Sequence, residues 1–315
     1  MEKNNQTHKE KTMSETTRKR HKFSLPIYLL LANGITWLLW IPGLIAELQK
    51  EYIMPNVDSY HLLFETGFAN SQHLYLSIAF FFGVYGPLIA GLVAIWMDGG
   101  KEGLAEWWGR ITRWRIGGNW YLTAILITFI VAAIPVTIFG LIGGFAPSNM
   151  PFLYILGLLF AQLLRSGFGE EPGWRGYLLP RLKDRFKGDK YIWVLGLIWS
   201  IWHWPIVIIR TMSTMQDVTI PQMVVTILMS LAGNVMAIIG ETHLYVWLYN
   251  NTKSVFLTIV FHAFSNIFPV WLMSFLVAPQ AAGLFIALMP WAIVVFMQKR
   301  LGKENFLGIQ SEKAS

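Results

Sequence analysis

The sequence contains no cysteine among its 315 residues. This absence excludes disulfide bonds, thiolate metal sites and cysteine nucleophiles. Charged residues are also scarce, at 14% of the chain, whereas soluble domains usually contain about 25%. The charges that are present are collected in short stretches, which are separated by long apolar runs. A composition of this kind is typical of a protein that crosses a membrane several times.

Eight apolar runs are long enough to span a membrane as helices. A helical run of about 20 residues crosses the ~30 Å hydrocarbon core, and a helix satisfies its own backbone hydrogen bonds in lipid. The sixth run is too long for one straight crossing, so it is expected to tilt or to end along the interface. The sequence therefore predicts an all-α polytopic membrane protein with eight transmembrane helices. Their predicted ranges are 27–46, 76–97, 120–146, 151–168, 191–209, 221–249, 254–276 and 280–298.

Lysine and arginine residues are concentrated in every second predicted loop. The loops on the side of the N-terminal tail hold 22 of them, whereas the opposite loops hold two, Lys50 and Arg210. Basic residues are retained on the cytoplasmic side of membranes, so both chain ends are predicted to be cytoplasmic. The net charge of +7 then reflects orientation in the membrane, and no nucleic-acid partner is expected.

The polar and apolar stretches divide the chain into three parts. Residues 1–22 are predicted to be a basic, disordered cytoplasmic tail, residues 23–300 a single transmembrane domain, and residues 301–315 a second tail. The first apolar run has no evident signal-peptide cleavage site, so it is interpreted as an uncleaved helix. Residues 103–116 mix Trp, Leu and Ile with Arg, which is typical of a helix in the cytoplasmic interface. A solvated loop is the alternative.

Ionisable residues occur in or beside the apolar runs of the second half of the chain, within residues 165–270. Such residues are costly at bilayer depth and are therefore functional candidates by default. The first three predicted helices contain none, which suggests a supporting half and a functional half. The seven candidates are Arg165, Glu170, Glu171, His203, Glu241, His243 and His262.

The adjacent carboxylates Glu170 and Glu171 point about 100° apart if they lie on a helix. Glu171 and Arg175 are four residues apart and can pair on one helical face, which leaves Glu170 free. A carboxylate in a dry pocket without a full counter-charge can act as a general base near neutral pH. Pro172 predicts a kink or a helix start at this point. A solvated helix end with an ordinary ion pair is the alternative.

Two histidines lie deep in separate predicted spans. His203 is about 12 residues into its span, roughly 18 Å from the cytoplasmic edge. Trp199 lies on the same face, where its ring can pack beneath the imidazole. His262 and Asn266 are one turn apart, so both side chains project from one face of another helix. The alternative for all of them is hydrogen-bonded packing between helices.

The carboxylate pair and the two histidine segments come from separate helices and together indicate a hydrolytic site. One Glu and two His are a ligand set typical of catalytic zinc, so Glu170, His203 and His262 are candidate ligands of one divalent metal. Equally, Glu170 could activate water while His203, His262 and Asn266 stabilise an oxyanion. Both schemes indicate hydrolysis of an amide bond, with one Zn²⁺ or no metal as the cofactor.

The other ionisable residues carry weaker signals. Glu241 and His243 are two positions apart and so lie on opposite faces, near the cytoplasmic end of a long run. They are interpreted as interfacial or packing residues. Arg165 is expected to extend towards the interface or to pair with a carboxylate, and it is assigned no role.

These motifs resemble the CAAX protease and bacteriocin-processing family of intramembrane endopeptidases, also called the abortive-infection family. The family has the motifs Glu-Glu-x-x-x-Arg, Phe-x-x-x-His and His-x-x-x-Asn or Asp. The resemblance covers residues from about 150 to 270, and the order of the motifs is the same. The corresponding motifs here are Glu170-Glu171-Pro-Gly-Trp-Arg175, Trp199-x-x-x-His203 and His262-x-x-x-Asn266. Trp199 replaces the phenylalanine, a change that keeps an aromatic ring and is not expected to affect the chemistry.

The resemblance implies an eight-helix fold with a site open towards the cytoplasmic leaflet. It implies that Glu170 activates water, that His203 and His262 bind a metal or stabilise charge, and that Asn266 completes an oxyanion hole. The implied partners are the lipid bilayer and a membrane-associated peptide or protein substrate. The implied supporting residues are Glu171 and Arg175.

Two stretches, EEPGWRGYLLPRL and WSIWHWP, resemble a common bacterial branch of the family. This implies a multi-pass protein of a bacterial cell membrane. Bacterial relatives are linked to bacteriocin maturation and self-immunity or to membrane-protein processing, and the eukaryotic branch removes three residues after a prenylated cysteine. The sequence does not select among these substrates.

Two other functions stay open. One is a catalytically silent family member that acts as a membrane partner or immunity protein. The other is a transporter, because membrane-embedded Glu and His suit proton relays. Many transporters have inverted repeats with matching broken helices. Here the polar residues occupy one half of the chain only, so transport is the weaker alternative.

Overall fold

The computed structural model describes residues 2–56, 59–148, 150–215 and 217–307, and these residues are mostly helical. No strand occurs among them, apart from one isolated antiparallel bridge between Phe145 and Leu276. The all-α prediction is confirmed. The helices are α1 (Glu2–Leu48), α2 (Tyr60–Thr66), α3 (Ser71–Gly83), α4 (Gly86–Ile111), α5 (Gly118–Gly143), α6 (Phe152–Gln162), α7 (Phe168–Gly173), α8 (Leu179–Arg185), α9 (Lys190–Ser213), α10 (Ile220–Thr252), α11 (Val255–Met273), α12 (Gln280–Leu301) and α13 (Lys303–Leu307), with π-helical segments at Leu163–Gly167 and Trp174–Leu178.

Seven helical stretches in this part of the chain are long and apolar enough to cross a membrane. They are residues Ser24–Leu48 of α1, the continuous stretch Phe152–Arg185, and α5, α9, α10, α11 and α12. Helices α3 and α4 pass the same test together, bent by 49°. Counted as one broken span, they bring the number to eight, in agreement with the eight predicted spans.

The bend between α3 and α4 follows from a proline. Pro87 has no N–H to donate to the carbonyl of Gly83. The hydroxyl of Thr36 on α1 donates to that carbonyl instead, at 2.7 Å. The break is therefore satisfied by a neighbouring helix rather than by water, as a membrane interior requires.

Two helices differ in extent from the predictions. Helix α1 begins at Glu2 and thus includes residues 2–22, for which the sequence predicts disorder. The fourth predicted span does not end at residue 168, because the helix runs on to Arg185. The apolar run ends at the charged residues near Glu170, but these are buried by protein, so the helix continues through them.

The irregularity predicted from Pro172 takes the form of the two π-helical segments that flank α7. The helical stretch is continuous through the carboxylate pair, and α7 begins two residues before Glu170. Extra residues in π turns are common at functional sites and re-aim the side chains that follow. Helix α7 therefore presents its side chains in a register that a regular helix would not produce.

Helix α4 also contains the segment predicted to lie in the interface. The helix passes a non-helical residue, Gly100 (φ 55°), and ends at Ile111. Only part of the predicted stretch 103–116 is thus helical. Trp107 is buried and donates from Nε1 to the carbonyl of Pro172 at 2.9 Å, whereas Trp108 is exposed.

Two glycines allow α7 to lie directly against the start of α4. A Cβ on Gly173 would overlap the carbonyl of Pro87, and one on Gly169 would lie 3.0 Å from the carbonyl oxygen of Val84. Both neighbours are backbone atoms, which cannot move aside as a flexible side chain can. This close approach places the residues of α7 in the protein interior.

Candidate active site

Helix α7 carries two buried carboxylates. Glu170 is 3% exposed and Glu171 is fully buried. The alternative interpretation, a solvated helix end with an ordinary ion pair, is therefore wrong. Charges buried in this way are retained where they are paired or used for function.

Glu171 is held by two partners through one oxygen atom. Arg175 Nη1 donates to Glu171 Oε1 at 2.8 Å, as predicted from their spacing. His262 Nδ1 lies 2.9 Å from the same oxygen. Glu171 Oε2 has no hydrogen-bond partner among the described residues. Glu171 thus links the π segment after α7 to the middle of α11.

The guanidinium of Arg175 is enclosed by two aromatic rings. Its central carbon lies 4.1 Å from the ring centroid of Trp199 and 3.8 Å from that of Tyr245. Such stacking stabilises a desolvated cation. Tyr245 was not predicted from the sequence, because an aromatic residue in an apolar run looks like ordinary packing.

Glu170 faces a different set of groups from its neighbour. Its Oε2 accepts a hydrogen bond from Trp199 Nε1 at 3.0 Å. Its Oε1 lies 3.8 Å from His262 Nε2, beyond hydrogen-bond distance. Because phenylalanine has no N–H, the substitution adds a donor to the proposed base besides keeping the ring. Whether it affects the chemistry stays open to the test in the Discussion.

His262 lies between the two carboxylates. The Glu171 contact at Nδ1 fixes the ring orientation, and a neutral ring that donates there keeps its lone pair on Nε2, facing Glu170. The side chain is 6% exposed. An imidazole with a carboxylate beside each nitrogen can hold and release a proton without moving.

His203 also contacts the Trp199 indole. The ring centroids of His203 and His262 are each 5.8 Å from that of Trp199, so the predicted contact between Trp199 and His203 is present. His203 Nδ1 donates to the carbonyl of Trp199 at 2.8 Å. Its Nε2 is therefore the nitrogen left to meet a substrate.

Asn266 contacts a residue that the sequence reasoning missed. Asn266 Nδ2 donates to Gln162 Oε1 at 3.0 Å, and Gln162 is 1% exposed. Gln162 Nε2 has no hydrogen-bond partner among the described residues. The signal available was a polar amide inside an apolar run, which is costly in lipid.

The candidate metal ligands do not form a metal site in this geometry. Within the described ranges, no group of three or more His, Cys, Asp and Glu residues is arranged to hold a metal ion. His262 Nδ1 is occupied by Glu171, which leaves Nε2 as the nitrogen that faces Glu170. The divalent metal expected from the sequence therefore stays a prediction.

Glu241 and His243 lie on opposite faces of α10, as predicted. The ring of His243 contacts Trp193 of α9 and Trp291 of α12, with centroids 5.6 and 5.3 Å apart, so it packs between helices. Glu241 lines a small cavity together with Phe261 and Ser265 of α11.

Arg165 does not follow the pairing prediction. Its residue exposure is 4%, and no carboxylate pairs with it in the described part of the chain. Its guanidinium carbon lies 5.8 Å and 5.6 Å from the ring centroids of Phe80 and Phe81. The expectation that it extends towards the interface stays a prediction.

Two comparisons with known proteins concern this region. Residues 152–268 match the model of the family described as "Type II CAAX prenyl endopeptidase Rce1-like". The chain is also 29% identical over 153 residues to CAAX prenyl protease 2 of Methanococcus maripaludis, an alignment that covers 46% of this chain and 52% of that protein. The chain thus spans about half the length of the curated relative it matches. The matched region contains every motif residue, so the resemblance to the CAAX protease family is confirmed.

Proposed function

We propose that this protein, whose residues 152–268 carry a domain of the CAAX protease family, is an intramembrane endopeptidase that hydrolyses a peptide bond with a water activated by Glu170. One observation carries the proposal. Glu170 is a buried carboxylate that is hydrogen-bonded at Oε2 by Trp199 and faces His262 with Oε1. A group held in this way has one oxygen oriented and the other available to accept a proton.

The hydrolytic step balances with these residues alone. Glu170 Oε1 accepts a proton from a water, whose oxygen forms a bond to the peptide carbonyl carbon. When the resulting tetrahedral intermediate collapses, the carbon–nitrogen bond breaks and Glu170 returns the proton to the leaving amine. The step is proposed here without a metal. The zinc-dependent scheme stays a prediction from the sequence.

Two groups are assigned to the oxyanion of that intermediate. Asn266 Nδ2 has two hydrogens, of which Gln162 engages one, so the second can be donated to the substrate. His203 can donate from Nε2 when its ring is protonated, since Nδ1 is engaged by the Trp199 carbonyl. Donors fixed before the charge develops are the usual source of such stabilisation.

Glu171 and Arg175 are positioning residues in this proposal. Glu171 orients the His262 ring through Nδ1, and Arg175 supplies the counter-charge that Glu171 needs. The two aromatic rings around Arg175 replace the hydration of its guanidinium. The pair therefore acts on the reaction through His262.

The membrane location and orientation of the site are proposed from the distribution of basic residues along the sequence. The alternation of basic residues supports cytoplasmic chain ends and a site open towards that side of a bacterial cell membrane. The substrate proposed is a membrane-associated peptide or protein. The name of the archaeal relative indicates a prenylated substrate for that protein, and bacteriocin precursors are the alternative for this chain.

A comparison of protein termini tests the proposal. Membranes containing the wild type, Glu170→Ala or Glu102→Ala are prepared at equal expression levels, and all protein termini are mapped. Glu102 is an exposed carboxylate of α4, so its variant controls for loss of charge. Cleaved termini are expected with the wild type and Glu102→Ala, and none of them with folded Glu170→Ala.

Identical termini in all three membranes would contradict the proposed activity. The catalytically silent partner or immunity role would then be the function to test. Termini that persist in Glu170→Ala would instead show that another residue activates the water.

A further inference from the structure

Arg165 is a buried cation for which the proposed reaction has no use. Its Nε has no hydrogen-bond partner among the described residues, and its guanidinium carbon lies 5.8 Å and 5.6 Å from the ring centroids of Phe80 and Phe81. The other deeply buried arginine, Arg175, has a carboxylate at 2.8 Å. Because an uncompensated buried charge is strongly destabilising, a residue of this kind indicates an anionic group that comes from outside the chain.

The space beside Arg165 is apolar. Phe81, which contacts the guanidinium, also lines a cavity of about 290 Å³. The cavity wall is made mainly of hydrocarbon and aromatic side chains, and its other members include Pro55, Tyr60, Leu63, Phe68 and Ile78. A ligand that reaches Arg165 through this cavity would have to carry apolar groups next to its anionic group.

Two further donors near Arg165 have no partner among the described residues. The Tyr60 hydroxyl is buried without a hydrogen bond. Tyr60 lines the same cavity as Phe81, the residue whose ring lies beside Arg165. Burial raises the pKa of the Tyr60 hydroxyl, and the positive charge of Arg165 opposes that shift. Gln162 Nε2 is the second, and Gln162 lies three residues before Arg165, next to the π-helical segment that contains Arg165.

Gln162 also connects this part of the helix to the proposed catalytic residues. Gln162 Oε1 accepts a hydrogen bond from Asn266, the residue assigned to the oxyanion. Arg165 precedes Glu170 by five residues in one continuous helix, a rise of about 7.5 Å. An anion bound at Arg165 would therefore lie one to two peptide units from the bond that Glu170 attacks.

We propose that Arg165, assisted by Gln162 and Tyr60, binds a carboxylate of the peptide substrate and so selects which bond is cleaved. The identification of the ligand as substrate rests on the endopeptidase function proposed above. A guanidinium matches a carboxylate through two parallel hydrogen bonds. A lipid phosphate is the rival ligand, and the phosphate and phosphatidylglycerol arms of the test below distinguish it from a peptide carboxylate.

Peptide binding tests the proposal. Glu170→Gln protein, which leaves peptides intact, is placed in phosphatidylcholine nanodiscs. Two probe pairs are used: acetyl-Leu-Leu-Leu as free acid and as carboxamide, and acetyl-Leu-Glu-Leu and acetyl-Leu-Gln-Leu, both as carboxamides. Binding is followed by tryptophan fluorescence. The charged member of at least one pair is expected to bind roughly 10-fold or more tightly than its neutral partner.

Two variants in the same background connect that preference to Arg165. Arg165→Gln is expected to abolish the preference, and Arg210→Gln to keep it. Arg210 pairs with Glu47 and lies outside the proposed site, so it is the matched control. Arg165→Gln is also expected to retain the melting temperature without peptide, because it removes a charge that has no partner. A purely structural role would lower that temperature instead.

Equal binding within both probe pairs would overturn the proposal. That comparison uses protein in which Arg165 is intact, so it does not require the Arg165→Gln variant. Displacement of the acidic peptide by inorganic phosphate, or loss of the preference in discs with phosphatidylglycerol, would overturn it in favour of a phosphate site. Binding needs no turnover. A carboxylate preference without proteolysis would therefore contradict the proposed function alone, and proteolysis without the preference would contradict the Arg165 site alone.

Discussion

Trp199 contacts three other residues of the proposed site. Its indole N–H donates to Glu170, its carbonyl accepts from His203, and its ring lies against the guanidinium of Arg175. The family pattern has phenylalanine at this position, which could supply the ring and the carbonyl only. The N–H of Trp199 is therefore the part of the side chain whose contribution can be measured separately.

We expect Trp199→Phe to lower kcat roughly 10-fold or more, and to lower the melting temperature no more than Trp202→Phe does. The variant keeps the aromatic packing but removes a hydrogen bond to a charged group, which contributes about 1.5–3 kcal/mol. The measurement is steady-state cleavage of a peptide identified from the mapped termini. Trp202→Phe is the control, since Trp202 donates to Thr36 rather than to Glu170. Equal losses in both variants would show a packing effect.

We expect Arg175→Ala to reduce folded yield as well as activity. It leaves Glu171 as a fully buried carboxylate without a counter-charge, a change that costs about 3–5 kcal/mol. The yield of monodisperse protein and its melting temperature measure the effect. Arg110→Ala is the control, because Arg110 pairs with the exposed Glu106. A fully stable Arg175→Ala protein would contradict the positioning role.

Among the individual residues of the site, the sequence predicted the charged ones but not their uncharged partners. Glu171 with Arg175 could be paired from spacing alone, because four residues place two side chains on one helical face. Gln162 and Tyr245 could not be recognised, because nothing in an apolar run distinguishes a residue that contacts the site from one that packs. The N–H of Trp199 was overlooked for the same reason.

Helix α7 depends on close backbone contact more than on side-chain packing. It lies between two π-helical segments, and Gly173 and Gly169 bring it against Pro87 and Val84 of the neighbouring span. The position of the carboxylates is thus set by how closely two helices approach each other. A small change in that distance would move Glu170 relative to His262.

We expect Gly173→Ala to lower stability by about 1–3 kcal/mol and to reduce activity, because the added methyl group overlaps backbone atoms. Gly157→Ala is the matched control. Gly157 lies on exposed helix with no atom within 4 Å of a built Cβ, so alanine there is expected to be neutral or slightly stabilising. Melting temperature and cleavage rate are measured for both. A Gly173→Ala protein as stable and active as the control would show that the contact is looser than described.

The extent of the helices was predictable where apolar runs end in solvent and not where they end in buried charge. The helix through residue 168 shows this, because Glu170, Glu171 and Arg175 interrupt the apolar run but not the helix. The π-helical segments could not be predicted either. They arise from the fit between helices, whereas Pro172 alone indicates only that regular hydrogen bonding is interrupted.

The orientation of the whole molecule is open to a direct test because the chain has no cysteine. A single introduced cysteine is then the sole thiol for a membrane-impermeant maleimide. With the proposed orientation, Glu51→Cys is expected to react in intact bacterial cells. Lys187→Cys is expected to react only after lysis, and both residues are exposed. The reverse result would place the chain ends outside the cytoplasm.

The Glu171–Arg175 pair also has a consequence for biogenesis. His262 is 91 residues further along the chain, so at typical translation rates it is made roughly five to twenty seconds after Glu171. Arg175 is four residues away and forms its bond within the same helix. The nascent helix can therefore leave the translocon with this carboxylate already neutralised, before α11 exists to complete the site.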